Sequence, residues 1–189
     1  MTPVCLQCVF LLVCFSYVYG TSQGALPKAC DNMTPHHYGV KAQTVAAPFR
    51  LTVDKTEYRG DETIIVKLSK TSNTSFKGFL IQARNEAGKK IEGFRLSAQS
   101  KFLQCDSPND TVTHTEASAK QSYMAVFIAP NTSQGDIAIF ATVVHNFETY
   151  WVKIQSELII DRVTSGASST FLPNTLAVVT AVFIRTYVY

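Results

Sequence analysis

The eight residues Ile137–Val144, which read Ile-Ala-Ile-Phe-Ala-Thr-Val-Val, decide the fold of this chain. The stretch has no charge, no glycine and no proline, and its β-branched and aromatic side chains would point to both faces of an extended backbone. We therefore predict a β-strand that is buried on both sides. A second layer must cover the face that its own sheet leaves open, and only strand-like segments are available for that layer, which favours two packed β-sheets.

The rest of the chain supplies further strand-like segments. Residues 76–84 form a second near-continuous apolar run, which we expect beside Ile137–Val144, and Gly78 within it indicates a bulge or a close backbone approach. Residues 21–47 predict an irregular arm, and residues 106–121 predict a loop. The other predicted strands are Phe49–Val53, 63–68, 91–97, 123–129 and 150–160. Seven or eight short strands without a helical period predict an all-β antiparallel sandwich.

Residues 1–20 are predicted to be a cleaved signal peptide. Residues 9–15 are a short apolar core, and Val18 and Gly20 suit the two small positions before a signal-peptidase cut. The apolar run is shorter than the roughly 20 residues that a membrane-spanning helix needs. We therefore expect a secreted chain that begins at Thr21.

Cysteines and sequons fit an extracellular protein. Removal of the signal peptide would leave two of the five cysteines, Cys30 and Cys105. In an oxidising compartment two cysteines most simply pair with each other. Four Asn-X-Ser/Thr sequons lie in polar, turn-like segments and predict glycosylation. Their asparagines are Asn32, Asn73, Asn109 and Asn131.

Charge and motifs narrow the class of function. The 17 Lys and Arg exceed the 14 Asp and Glu by only three, and no basic run concentrates the excess, which argues against nucleic acid as the main partner. Weak attraction to anionic surfaces, such as microbial envelopes, stays open. The chain has no Gly-X-Ser-X-Gly turn, no unpaired cysteine nucleophile and no phosphate-binding glycine loop, so we predict neither an enzyme nor a cofactor.

An ordered series of motifs resembles the reeler domain. The matching pieces are residues 29–35, 76–84, Cys105 with 112–114, 129–130, 140–144 and 150–152, and together they cover about residues 24–160. The resemblance implies an immunoglobulin-like β-sandwich and a disulfide between Cys30 and Cys105. One departure is the His36-His37-Tyr38-Gly39 segment, which has an extra residue where the family tends to have a single histidine before glycine.

The family occurs in reelin, in ferric-chelate-reductase-like membrane proteins and in small secreted defence proteins of invertebrates. A chain of 189 residues is too short for the membrane helices or the haem module of the second group, so it most resembles the defence proteins. The resemblance then implies a non-enzymatic protein that binds microbial surface polymers in an antimicrobial or nodulation-type role. Two alternatives stay open: an adhesion or matrix module that binds host proteins, and a remnant of a redox protein.

Five residues are candidates for ligand binding. A Cys30–Cys105 bond would draw the arm with His36 and His37 toward the loop with His114, although the spacing of these histidines predicts no metal site. Aromatic side chains could stack on a glycan, against their commoner role in a core. The aromatic candidates are Tyr150 and Trp151, with Tyr38, Tyr58 and Phe147 weighed for the same platform. Trp151 is also the predicted core anchor beside Ile137–Val144.

The predicted domain covers residues 21–162 and is followed by a tail, residues 163–189. Small residues at 164–169 precede an apolar end at 172–189, an order typical of a glycosylphosphatidylinositol attachment signal. Arg185 interrupts the apolar end, so a lipid anchor and a soluble product that keeps its tail are both open. Contact with a membrane is expected only through such an anchor.

Overall fold

Eleven β-strands form two facing sheets in the computed structural model, which describes residues 21–163. The predicted signal peptide and nearly all of the predicted tail lie outside the described residues. The strands are β1 (Phe49–Val53), β2 (Glu57–Tyr58), β3 (Thr63–Lys70), β4 (Gly78–Asn85), β5 (Lys90–Ile91), β6 (Phe94–Arg95), β7 (Ser100–Phe102), β8 (Thr111–His114), β9 (Ser122–Ile128), β10 (Ile137–Val144) and β11 (Tyr150–Asp161).

The smaller sheet has the strand order β1-β3-β9-β6, and the larger has the order β2-β11-β10-β4-β8-β7 with β5 also on β4. Neighbouring strands are antiparallel except for the short parallel pair of β2 and β11. The predicted neighbours β10 and β4 pair over eight residues, from Ile137 opposite Asn85 to Val144 opposite Gly78. The all-β antiparallel sandwich predicted from the sequence is therefore confirmed.

The core lies between the two sheets because alternate residues of each strand point inward. From β10 these are Ile137, Ile139, Ala141 and Val143, and they share one apolar cluster with residues of β3, β4 and β9. Trp151 is part of this cluster: its ring meets Phe49 edge to face at 5.4 Å, and its indole N–H donates to the carbonyl of Val45 over 3.2 Å. Trp151 is thus the core anchor that the sequence predicted.

The opposite face of the larger sheet is covered by the irregular arm, residues 21–47, which contains one 3₁₀ turn, Pro27–Ala29. Ala29 and Met33 of the arm form a second, smaller apolar cluster with Leu80 of β4, and Phe140 of β10 packs against it. The double burial predicted for Ile137–Val144 is confirmed. One of its faces is covered by the other sheet, and the other face by the arm.

Two segments differ from their predictions. Residues 106–121 contain the fully buried strand β8, whose polar threonines misled the prediction: Thr113 accepts from the backbone N–H of Ala25 in the arm, and Thr111 accepts from the Gln82 side chain of β4. Residues 91–97 form two short strands in different sheets, β5 and β6. The chain changes sheets at Gly93, whose φ of 143° favours glycine and whose position is crowded by the carbonyl of Ile128.

A disulfide and an ion-pair cluster fasten the arm to the larger sheet. Cys30 is bonded to Cys105 with a Cα–Cα distance of 5.5 Å, as predicted. Beside the bond, the buried Lys90 ammonium donates to Asp31 at 2.9 Å and to Asp106 at 3.0 Å. These contacts join the arm, β5 and the β7–β8 loop at one point of the sheet.

The Asp161 carboxylate fastens the end of the sandwich at which β10 begins and β11 ends. It accepts hydrogen bonds from the hydroxyl of Ser133 at 2.7 Å and from the backbone N–H groups of Gln134, Gly135 and Val163. Burial opposes ionisation of this carboxyl, but the hydrogen bonds outweigh burial and lower the pKa of Asp161 to about 2. The β9–β10 loop is thereby tied to the end of β11.

Candidate functional site

A cavity of about 240 Å³ opens between the arm and the end of the larger sheet where β4 begins and β10 ends. We call it the arm pocket. The sheet contributes the outward-facing Leu80, Thr142 and Val144, and the arm contributes mainly small or apolar side chains. These arm residues are Ala25, Leu26, Ala29, Met33 and Pro35. Because an irregular arm with small side chains cannot interdigitate with the sheet as a second sheet does, space is left between them.

The wall between arm and sheet is set by one hydrogen bond. The Thr142 hydroxyl donates to the carbonyl of Met33 over 2.7 Å, and both residues are buried. A threonine in an otherwise apolar strand therefore has a specific partner in the arm. This bond fixes how closely the arm approaches β10 at the floor of the pocket.

His114 forms the inner end of the pocket and is buried. Its Nδ1 lies 3.1 Å from the backbone nitrogen and 3.2 Å from the carbonyl oxygen of Phe79, so the backbone of that residue holds the ring in place. Burial, together with the charges of Lys120 and Lys101, lowers the pKa of His114 below its usual value of 6.5, so the ring is neutral at pH 7. A side chain at Gly78 would place its Cβ 2.8 Å from Cε1 of this ring. The close approach predicted at Gly78 is therefore made by the His114 side chain.

His36 and His37 lie on the rim of the same pocket. The exposed His36 has its Nε2 3.1 Å from the carbonyl of Lys28. His37 is half-buried; its Nδ1 lies 2.6 Å from the carbonyl of Phe147, and its ring stacks on that of Phe147 at 4.5 Å. The structure thus brings the three predicted histidines to one cavity. Within residues 21–163, no group of three or more His, Cys, Asp or Glu side chains is arranged to hold a metal ion.

The aromatic candidates separate into buried and exposed residues. Tyr150 and Trp151 are 1% and 8% exposed, and the Tyr150 hydroxyl donates to the carbonyl of Val40, so these two side chains hold the arm and do not form a surface platform. Tyr58 is also fully buried. Phe147, which lines the pocket, is 36% exposed, and Tyr38, which follows the rim residue His37 in the chain, is 94% exposed. Both residues lie in turns, outside the alternating pattern of a strand, and this feature of the sequence distinguishes them from the buried aromatic residues.

One lysine stands at the opening of the arm pocket. Lys77 lines the opening, is exposed, and forms no ion pair with any residue between 21 and 163. Of the residues between 21 and 163, the lining includes three histidines but no aspartate or glutamate. The sequence did not reveal this, because the residues come from the arm, three strands and three loops that only the fold brings together.

The sequons are open to solvent to different degrees. Asn32, Asn73 and Asn131 are exposed, and Asn109 is half-buried. Asn109 and Asn131 border one polar cavity of about 430 Å³ at the end of the sandwich opposite the arm pocket. Glycosylation of these asparagines stays a prediction.

The fold and its arm define a disulfide-fastened, immunoglobulin-like β-sandwich with a pocket between arm and sheet. Residues 28–167 match the family profile of the Reeler domain, and the chain belongs to this family. Defense protein l(2)34Fc of Drosophila melanogaster is 31% identical over 140 residues, which are 71% of this chain and 85% of that protein. The crystal structure of the reelin-N domain of F-spondin has the same fold, with a TM-score of 0.55 and 18% identity over 65% of this chain and 92% of that one.

Other relatives are much longer proteins. Ferric-chelate reductase 1 of Mus musculus is 34% identical over 158 residues, which are 80% of this chain but only 25% of that protein. The chain spans less than a third of the length of the ferric-chelate reductases that it matches. In the described part of the chain, no helix has the length and apolar character needed to cross a membrane.

Proposed function

We propose that this protein is a secreted defence protein that binds microbial surfaces without catalysing a reaction. The observation that carries the proposal is the arm pocket, an apolar opening whose rim presents exposed aromatic and cationic side chains. A defence protein of Drosophila melanogaster is matched over 85% of its length, which supports the same class of role here. The disulfide and three exposed sequon asparagines support an extracellular location.

Recognition would take place at the pocket end of the sandwich. Tyr38 and Phe147 offer aromatic faces that can stack on sugar rings or insert into a lipid surface. Lys77 supplies a positive charge beside them, which suits anionic envelope polymers. In an antimicrobial or nodulation-type role, the protein would act by coating or clustering cells through these contacts.

The test is sedimentation of the secreted, glycosylated protein with bacteria and fungi. We expect binding that soluble cell-wall polysaccharide competes away and that moderate salt does not. The Tyr38→Ser, Phe147→Ser double variant should lose binding at least tenfold. The control is Met124→Ser, which removes an exposed apolar side chain from the other sheet and should bind normally. Binding abolished by modest salt, or lost equally in both variants, would contradict the proposal.

The similarity to ferric-chelate reductase 1 favours a second candidate function, that of one module in a redox protein. This candidate requires a bound haem or metal in the secreted protein. An absorption spectrum of the purified protein distinguishes the two functions, because a Soret band would favour the redox module. A spectrum without that band would contradict a redox module that binds haem.

A further inference from the structure

We infer that the arm pocket binds one aliphatic chain that ends in an anionic head group, as in a fatty acid or the acyl chain of an acidic lipid. The inference rests on the proposed function only in taking the arm pocket as the binding site. It adds the chemical class of the ligand, which neither the fold nor the family relatives indicate.

The interior of the pocket suits an aliphatic chain. Leu26, Ala29, Met33, Leu80 and Val144 line it, and none of these side chains has a polar group that would need a partner in the ligand. An apolar cavity of roughly 150 Å³ takes benzene, which corresponds to roughly 25 Å³ per carbon. A cavity of about 240 Å³ therefore has room for about ten carbons of a chain.

The mouth of the pocket suits an anion. Lys77 is exposed at the opening without a carboxylate partner between residues 21 and 163, and His36 and His37 lie on the same rim. Since no aspartate or glutamate of the described chain lines the cavity, a negative head group would meet positive or neutral donors and no like charge from these residues. A cationic or neutral head group would lose this attraction.

The inner end of the pocket offers no favourable partner among the described residues for a charged head group. His114 is buried there, and its Nδ1 already lies within hydrogen-bond distance of the backbone of Phe79. Lys120 does not reach the cavity as a free cation, since its ammonium donates to the carbonyls of Lys77, Glu116 and Ser118. A chain would thus enter with its methyl end first and leave its head group near Lys77.

The experiment measures binding of hexanoate, octanoate, decanoate and dodecanoate to the secreted, glycosylated protein by isothermal titration calorimetry. We expect affinity to rise by about fourfold for each added methylene and to level off near ten carbons. Decyltrimethylammonium, which has the same chain and the opposite charge, should bind at least tenfold more weakly than decanoate. Affinity that does not depend on chain length, or that is equal for the two head groups, would overturn the inference.

Two pairs of variants test the site. Ala117 is exposed and lines the mouth, whereas Ala119 is exposed in the same loop and does not line it. Ala117→Trp should weaken decanoate binding at least tenfold and Ala119→Trp should leave it unchanged. Lys77→Ala should weaken decanoate several-fold and Lys67→Ala, on the outer face of the smaller sheet, should not. Equal effects of the two substitutions within either pair would overturn the assignment of decanoate to the arm pocket. The chain-length series tests the same assignment on the unaltered protein.

The outcomes also separate this inference from the proposed function. Decanoate binding without sedimentation on cells would support the pocket ligand and contradict microbial recognition. Sedimentation on cells without decanoate binding would overturn the pocket ligand alone. If both occur, release of the protein from cells by excess decanoate would show that the cell-surface ligand is an acyl lipid, whereas retention would show that the pocket takes a free fatty acid.

Discussion

The two faces of the larger sheet are packed in different ways, although the same strands supply both. On the inner face, Ile81 of β4 and Ile139 of β10 meet the opposite sheet in a continuous apolar core. On the outer face, Gln82 donates to the carbonyl of Cys30 at 2.9 Å and Thr142 donates to that of Met33. The inner face is closed by interdigitating side chains and the outer face by directed hydrogen bonds and a disulfide.

This difference explains where a binding site can form. A sheet that packs on a sheet fills the space between them because both surfaces have the same side-chain period. The arm has no such period, so its contacts to the sheet are local and leave a cavity beside them. Mutations on the two faces should therefore have separable effects on stability and on ligand binding.

The largest effect is expected from removing the disulfide. The Cys30→Ser, Cys105→Ser double variant should lose about 4 kcal/mol of unfolding free energy, because the bond closes a loop with a sequence separation of 75 residues. Urea denaturation measures the loss, and far-ultraviolet circular dichroism should still show the β-sandwich. We also expect decanoate binding to disappear. Normal binding in this variant would mean that hydrogen bonds alone hold the arm.

The second largest loss of stability is expected from Ile139→Ala, and it is best compared with the loss at Phe140, the adjacent residue on the opposite face of β10. Ile139→Ala should cost about 3 kcal/mol, since it leaves a cavity in the inner core. Phe140→Ala removes a larger side chain but should cost only about 1–2 kcal/mol, because Phe140 is half-buried against the arm cluster. Urea denaturation of both variants checks the order. The reverse order would show that the arm packs as tightly as the second sheet.

The same contrast separates what the sequence could predict from what it could not. Ile137–Val144, its pairing with β4 and the role of Trp151 were predictable, since burial on the inner face imposes a local apolar pattern. Strand β8 was missed because Thr111 and Thr113 are polar yet buried, and they bond to Gln82 and Ala25. The disulfide suggested that the histidines of the arm lie near His114. The arm pocket and the burial of Tyr150 depend on the path of an arm that has no sequence period.

A smaller effect is expected from the single hydroxyl at the floor of the pocket. Thr142→Val keeps the shape of the side chain but removes the donor to the buried carbonyl of Met33, which should cost about 1–2 kcal/mol. Thr52→Val is the matched control, because its hydroxyl bond to Lys67 is 3.4 Å long and exposed. Thermal or urea unfolding of both variants makes the comparison, and equal losses would contradict a specific contact between arm and sheet.

The smallest effect is a pH dependence at the inner end of the pocket. Burial, with Lys120 and Lys101 nearby, lowers the pKa of folded His114 below 6.5, so the unfolded chain binds this proton more readily. The contribution of His114 to stability is therefore present above about pH 6.5 and falls as the pH decreases below that value. Asp161, with its pKa lowered to about 2, loses its contribution only below about pH 4.

The pH ranges in which His114 and Asp161 lose their contributions can be separated by measuring the unfolding free energy in urea between pH 7.5 and pH 3. In the His114→Asn variant, the amide oxygen can still accept the Phe79 N–H but the side chain does not titrate. The decrease that begins near pH 6.5 should therefore become shallower in this variant, while the decrease below pH 4 should remain. If the unfolding free energy of the variant depends on pH above pH 5 as that of the unaltered protein does, His114 is not the cause of the loss of stability in that range.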